Sequence, residues 1–117
     1  MAILRNRSTG AVLADSIAFA IPPLRHVVGL MFGNEADKPA ENIWLERCRG
    51  VNTLGLNDDV DVVFLDAYGR VLACCPGIPP DCPSVVYSDA RATLKLSSGS
   101  LARTDVLVGD VLTLDEV

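Results

Sequence analysis

The stretch Gly50–Cys75, G-V-N-T-L-G-L-N-D-D-V-D-V-V-F-L-D-A-Y-G-R-V-L-A-C-C, decides the fold. Its centre, Val60–Leu65, is a short apolar run rich in β-branched residues, and Asp66-Ala67-Tyr68-Gly69 closes it with a turn signal. A second apolar run, Arg70–Cys75, begins at once. Two such runs joined by a glycine-containing turn read as a β-hairpin crossing a core. Both faces of Val60–Leu65 are apolar apart from Asp61, which predicts a strand covered on both sides.

Upstream of the hairpin, Met1–Leu4, the polar turn Asn6-Arg7-Ser8-Thr9-Gly10 and Ala11–Ala14 read as strand, turn and strand, with Ile17–Ile21 a third extended piece. Pro22-Pro23 suits the first turn of a helix. Leu24, Val27, Val28, Leu30 and Met31 then follow at helical spacing, so a short helix is expected over about Pro23–Met31, ended by Gly33-Asn34. Glu35–Asn42 reads as a loop, Ile43–Leu45 as a short strand and Gly50–Leu56 as an extended piece. Downstream, Cys75–Pro83 holds four of the seven prolines and is expected to be irregular. Ser84–Ser88 and Ala92–Leu96 are strand candidates, Ser100–Arg103 a helical turn and Val111–Leu114 a last strand. Eight or nine short strands at this spacing predict a mainly β fold: a single-domain antiparallel β sandwich or partly closed barrel over residues 1–117, with one or two short helices.

Composition narrows the function classes. At 117 residues the chain can bury one core of its own, and with half of those residues hydrophobic it has the material to do so. The net charge of −5, with no local Lys/Arg cluster to offset it, argues against a nucleic-acid partner and against an anionic membrane surface. No run approaches the ~20 apolar residues of a membrane span. No signal peptide is visible at Met1-Ala2-Ile3-Leu4-Arg5, so the expected location is the cytoplasm. There the four cysteines, 48, 74, 75 and 82, are expected as thiols; Cys75–Cys82 is the pairing of choice if a bridge forms.

The central stretch also carries a resemblance. Val51-x-Thr53-x-Gly55, then Val60-Asp61-Val62-Val63-Phe64-Leu65-Asp66 and Gly69-Arg70-Val71, resembles the signature of the domain-of-unknown-function family numbered 192. Gly29-Leu30-Met31, Leu94-x-Leu96-x-x-Gly99-x-x-Ala102-Arg103 and Val108-Gly109-Asp110 resemble further parts of that pattern in the same order. The resemblance implies a compact β sandwich or barrel with one or two short helices, found mainly in bacteria, and it supplies no activity. The chain departs from the pattern at Asn52 (where His is usual), Leu56 (Met), Asp59 (Pro), Asp58 (an aromatic) and Val28 (Arg). A site built on a titrating imidazole is therefore not expected here.

Candidate chemistry is sparse. Asp61 must be hydrogen-bonded or bear a desolvation cost of several kcal/mol. It is either a carboxylate in a cleft or a structural acceptor of backbone N–H groups, for which Asn57-Asp58-Asp59 offers donors. That acidic turn lacks the Gly and terminal Glu of a calcium loop. The cysteines do not make C-x₂-C pairs, Cys74 and Cys75 would point to opposite faces of a strand, and His26 is the single histidine, so no metal is expected. A Cys48–His26 couple rests on residue type alone, and no serine elbow or phosphate loop is present. Trp44, Tyr68 and Tyr87 fit core edges better than a ligand platform.

The reading is a non-catalytic binding or interaction module, with Trp44, Cys48, Asn52 and Asp61 as candidate ligand-binding residues, no catalytic residue and no cofactor. Its partner would be an unknown protein or a small-molecule ligand, and the chain a monomer or weak dimer. The alternative is a small hydrolase or thiol-dependent enzyme using Asp61 or a cysteine in a cleft.

Overall fold

The computed structural model describes residues 2–21 and 42–116. The expected hairpin is there: β5 (Val60–Leu65) pairs antiparallel with β6 (Val71–Ile78). Its turn is built by Asp66, whose Oδ1 accepts the N–H groups of Tyr68 (2.8 Å) and Arg70 (2.9 Å). Gly69 completes the turn at φ +82°, a conformation that penalises any residue with a Cβ.

All six residues of β5 are buried. It lies between β6 and β8 (Ala92–Ser97). β8 pairs in turn with β3 (Ile43–Glu46), which runs parallel to the second half of β2 (Val12–Ala20). The first half of β2 pairs antiparallel with β1 (Ala2–Asn6), and β1 with β9 (Leu112–Glu116), so the order is β6-β5-β8-β3-β2-β1-β9. β4 (Gly50–Val51) and β7 (Val85–Val86) form a small separate sheet. One short helix, α1 (Ser100–Thr104), precedes β9. The fold is mainly β and forms one domain, and its radius of gyration of 12.9 Å is that of a single compact body of this length.

Alternation along the central strands builds two cores. Trp44, Val63, Leu65, Leu94 and Leu96 join Leu4, Ile17, Val71, Leu101 and Leu112 on one side. Ile43, Leu45, Val60, Val62 and Phe64 join Ala20, Cys48, Val51 and Ala90 on the other. Each fully buried Leu, Val or Phe contributes about 1.5–3 kcal/mol by leaving water. The small sheet extends the second side, where Tyr87 stacks on Phe64 with ring centroids 5.7 Å apart.

The large sheet curls until its two ends meet. Arg70 forms a β-bridge with Val111, and the Leu112 N–H donates to Gly69 O (2.8 Å) while the Gly109 N–H donates to Val71 O (2.9 Å). The result is partly closed, not a closed barrel, and the β2–β3 pair makes the sheet mixed where an antiparallel one was expected.

Three further expectations are corrected. Most of Ala11–Ala14 and Ile17–Ile21 belongs to one strand, β2, in which the exposed Asp15 and Ser16 are taken up as a register shift against Ile3 of β1 and do not end the strand. Of Gly50–Leu56 only Gly50 and Val51 are strand, because a turn closed by the Leu56 N–H on Thr53 O diverts the chain. The proline-rich segment stays in strand as far as Ile78, with a register shift against β5 at Pro76-Gly77: among the described residues β6 is an edge strand, where Pro76 need not donate to a neighbour. The helix expected over about Pro23–Met31, with Gly29-Leu30-Met31 and His26, lies outside the described residues. No described helix is long and apolar enough to cross a membrane.

Candidate functional site

Asp61 is 1% exposed and points to the first core, in register with Leu96 of β8. Its Oδ1 accepts the Gly77 N–H (3.0 Å) and its Oδ2 the Leu101 N–H (2.9 Å). Asp61 is thus a structural acceptor of backbone N–H groups, but its donors come from the β6 edge and the start of α1, not from Asn57-Asp58-Asp59. The charge sits where α1 has no capping side chain of its own, since Gly99 holds the N-cap position. Both oxygens are engaged. The carboxylate fastens helix and edge strand to the middle of the sheet, the job for which a buried anion has the right acceptors.

The remaining candidates are scattered over the two faces. Trp44 is on the first-core side of β3, in register with Leu94, and its buried Nε1 has no hydrogen-bond partner among the described residues. Cys48 is in the second core, its Sγ donating to Gly50 O (2.9 Å) and its carbonyl accepting the Thr93 hydroxyl (2.8 Å). Asn52 follows β4, half-buried, with Oδ1 accepting the Leu54 N–H (3.1 Å). The sheet itself separates Trp44 and Asp61 from Cys48.

Other polar residues also do structural work. The fully buried Thr53 hydroxyl donates to Pro79 O (2.6 Å) and accepts the Cys82 N–H (2.8 Å), while the Thr53 carbonyl accepts the Asp81 N–H, which staples the proline-rich loop. Asp110 Oδ2 accepts from Asn6 Nδ2 (2.9 Å) and from the Leu107 N–H (3.0 Å). These bonds, the Asn6 one foremost, hold its carboxyl below the usual 3.8.

Cys74 and Cys75 are poor nucleophiles. Cys74 and Cys75 lie on opposite faces of β6, and all four cysteines are free. Burial pushes both thiols up from the usual 9.0, and for Cys74 the neighbouring Cys75, Asp110 and Asp61 add to it. A thiol held in that range is overwhelmingly protonated near neutral pH. Among the described residues, no group of three His, Cys, Asp or Glu side chains gathers as a metal-ligand set.

The sequence reading passed over two features. Lys95 is 4% exposed on β8, in register with Ile43 and Val62 on the second-core side, and it is not without an interaction partner. An open cleft of about 330 Å³ lies at the end of β3, lined by Glu46, Arg47, Arg49, Ala67, Ala90 and Arg91. Arg47-Cys48-Arg49 is visible as a motif, with an inward cysteine between two outward arginines. Arg91 is 42 positions on from Arg49, and only the β3–β8 pairing brings it to the same place.

No family model and no curated protein matches the chain. Among solved structures, the chain is similar to a protein of unknown function from Novosphingobium aromaticivorans DSM 12444, at a TM-score of 0.74 and 19% identity, over 97% of this chain and 84% of that one. It is also similar to a protein from Sinorhizobium meliloti 1021 described as a "putative transcription regulator", at a TM-score of 0.73 and 18% identity, over 97% of this chain and 91% of that one. At such identities the likeness is one of fold alone.

Proposed function

We propose that this small β domain is a non-catalytic binding module whose binding surface is the cleft between the β3–β4 connector, the β5–β6 turn and the start of β8. The observation that carries this reading is the lining itself. Arg47, Arg49 and Arg91 surround one concavity of small-ligand size in a chain whose net charge is −5. The groups that an enzyme would need are committed elsewhere: both Asp61 oxygens take backbone N–H groups, and Cys74 and Cys75 are held protonated.

The partner is a small-molecule ligand or a protein, not nucleic acid. Any regulatory role of the kind described for the Sinorhizobium protein would here run through ligand or protein contacts. The chain is a monomer or weak dimer; β6 carries Pro76 and a left-handed Gly77 on its free edge, both of which discourage edge-to-edge pairing. A thermal-shift screen of anionic, neutral and cationic small molecules tests the reading. It expects stabilising hits that disappear in Arg49→Ala and are recovered unchanged after incubation. Hits indifferent to Arg49, or chemically converted by the protein, would overturn it.

A further inference from the structure

The Glu46–Arg91 cleft combines features that point to one ligand chemistry. Arg47 and Arg49, on either side of Cys48, are presented by an anchored backbone. Between them, Cys48 is buried and tied through its carbonyl to the Thr93 hydroxyl (2.8 Å) and through its thiol to Gly50 O (2.9 Å), while Arg49 O accepts the Tyr87 N–H (2.9 Å). Arg91 is fixed from the other side. Its backbone N–H donates to Leu65 O (2.8 Å), and one guanidinium nitrogen donates to the carbonyls of Asp89 (3.3 Å) and Ala90 (3.1 Å), which holds the fork in place with N–H groups to spare.

Arg47 has a second peculiarity. Its φ of +56° lies in the left-handed region, where Gly or Asn is the ordinary choice and a long side chain is strained. A strained non-glycine residue lining a cleft marks a position where the side chain matters more than backbone comfort. Among the described residues, neither the Arg47 nor the Arg49 guanidinium has a hydrogen-bond or ion-pair partner, and the Arg5–Asp115 ion pair lies at another part of the surface.

We infer that this cleft recognises the phosphate group of a small phosphate monoester, an inference that rests on the binding-module reading above. Guanidinium forks match phosphate and carboxylate oxygens bidentately. One carboxylate offers two oxygens, too few for three forks, whereas a phosphate monoester offers three terminal oxygens and two negative charges. Ala67 and Ala90 leave room for the organic part of the ligand, and Glu46 is the acceptor for a hydroxyl on it. A monoester carrying hydroxyl groups, such as a sugar phosphate, fits this lining.

The test is calorimetric titration of the full chain with glucose 6-phosphate, inorganic phosphate, succinate and glucose, at low and at physiological salt. The expected result is binding of glucose 6-phosphate and, more weakly, of phosphate, with affinity falling as salt rises. Arg49→Ala and Arg91→Ala should each weaken it about tenfold or more. Arg47→Gly is the sharpest variant: it relieves the left-handed strain, so the melting temperature should hold or rise while binding is lost. Succinate or glucose binding as well as the phosphate ester, in an Arg49-dependent way, overturns the phosphate inference and leaves the module reading standing. Release of inorganic phosphate from the ester overturns the non-catalytic reading and leaves phosphate recognition standing. No binding by any probe, or binding indifferent to all three arginines, overturns the inference.

Discussion

At the scale of single residues, the polar groups singled out by the sequence are fasteners. Asp61 lies within an apolar strand because two backbone donors, Gly77 and Leu101, converge on it from elements distant in sequence. Removing one partner leaves buried donors unsatisfied, at about 1–3 kcal/mol each. Asp61→Ala should therefore cost about 2–4 kcal/mol in urea unfolding; a cost below about 1 kcal/mol would contradict the fastener role. Asp110 gives a prediction in pH. Its folded pKa lies below the ordinary 3.8, first because Asn6 donates to it and then because Leu107 does. Its contribution to stability is accordingly present above the unfolded value, and it drains away as pH falls through the lower folded value. Asp110→Asn should flatten this part of the acid limb in melting curves taken between about pH 5 and pH 2.5. An unchanged slope would show that Asp110 is not coupled to folding.

At the scale of elements, the connections between strands show why some glycines are tightly constrained. A Cβ on Gly69 would stand 2.5 Å from Leu112 O, and φ is +82° there, so the β5–β6 turn and β9 can approach only because that atom is missing. Gly109, at φ +97°, has nothing within 4 Å of the same position. Gly69→Ala should therefore cost about 2–4 kcal/mol, from left-handed strain plus the clash. Gly109→Ala should cost about 1–2 kcal/mol, from strain alone. Denaturation of the two variants side by side tests the order, and equal losses would mean that β9 yields to the added atom. Strand placement was legible in the alternating and apolar runs around β5, β6, β8 and β3. It failed at β6, where Pro76 and Gly77 read as a break. A free edge tolerates both, and Asp61 accepts the Gly77 N–H.

At the scale of the whole molecule, β5 and β8 form the axis, each flanked by strands and each covered by a core on both sides. Opening them requires disrupting both cores, whereas the two-residue pair β4–β7 can detach alone. Hydrogen exchange followed by mass spectrometry should therefore find the slowest amides in Val60–Leu65 and Ala92–Ser97 and the fastest strand amides in Val85–Val86. Protection of β7 equal to that of β5 would show that the small sheet is part of the cooperative unit. The same architecture explains why the cleft escaped the sequence reading. Arg47 and Arg49 are two positions apart in the chain and could be noticed, but Arg91 and Ala67 reach them only through the pairing of β8 with β3 and β5.

The sequence by itself determined the mainly β class, the core hairpin with its Asp66–Gly69 turn, and the need for buried partners around Asp61. Each of these follows from local periodicity, turn chemistry or desolvation, which act between near neighbours. Only the tertiary structure decided which donors Asp61 meets, that Trp44 and Asp61 lie across the sheet from Cys48, that β2 and β3 run parallel, and that three arginines share one cleft. Those outcomes depend on strand order and register, which join residues far apart in the chain and leave no periodic trace along it.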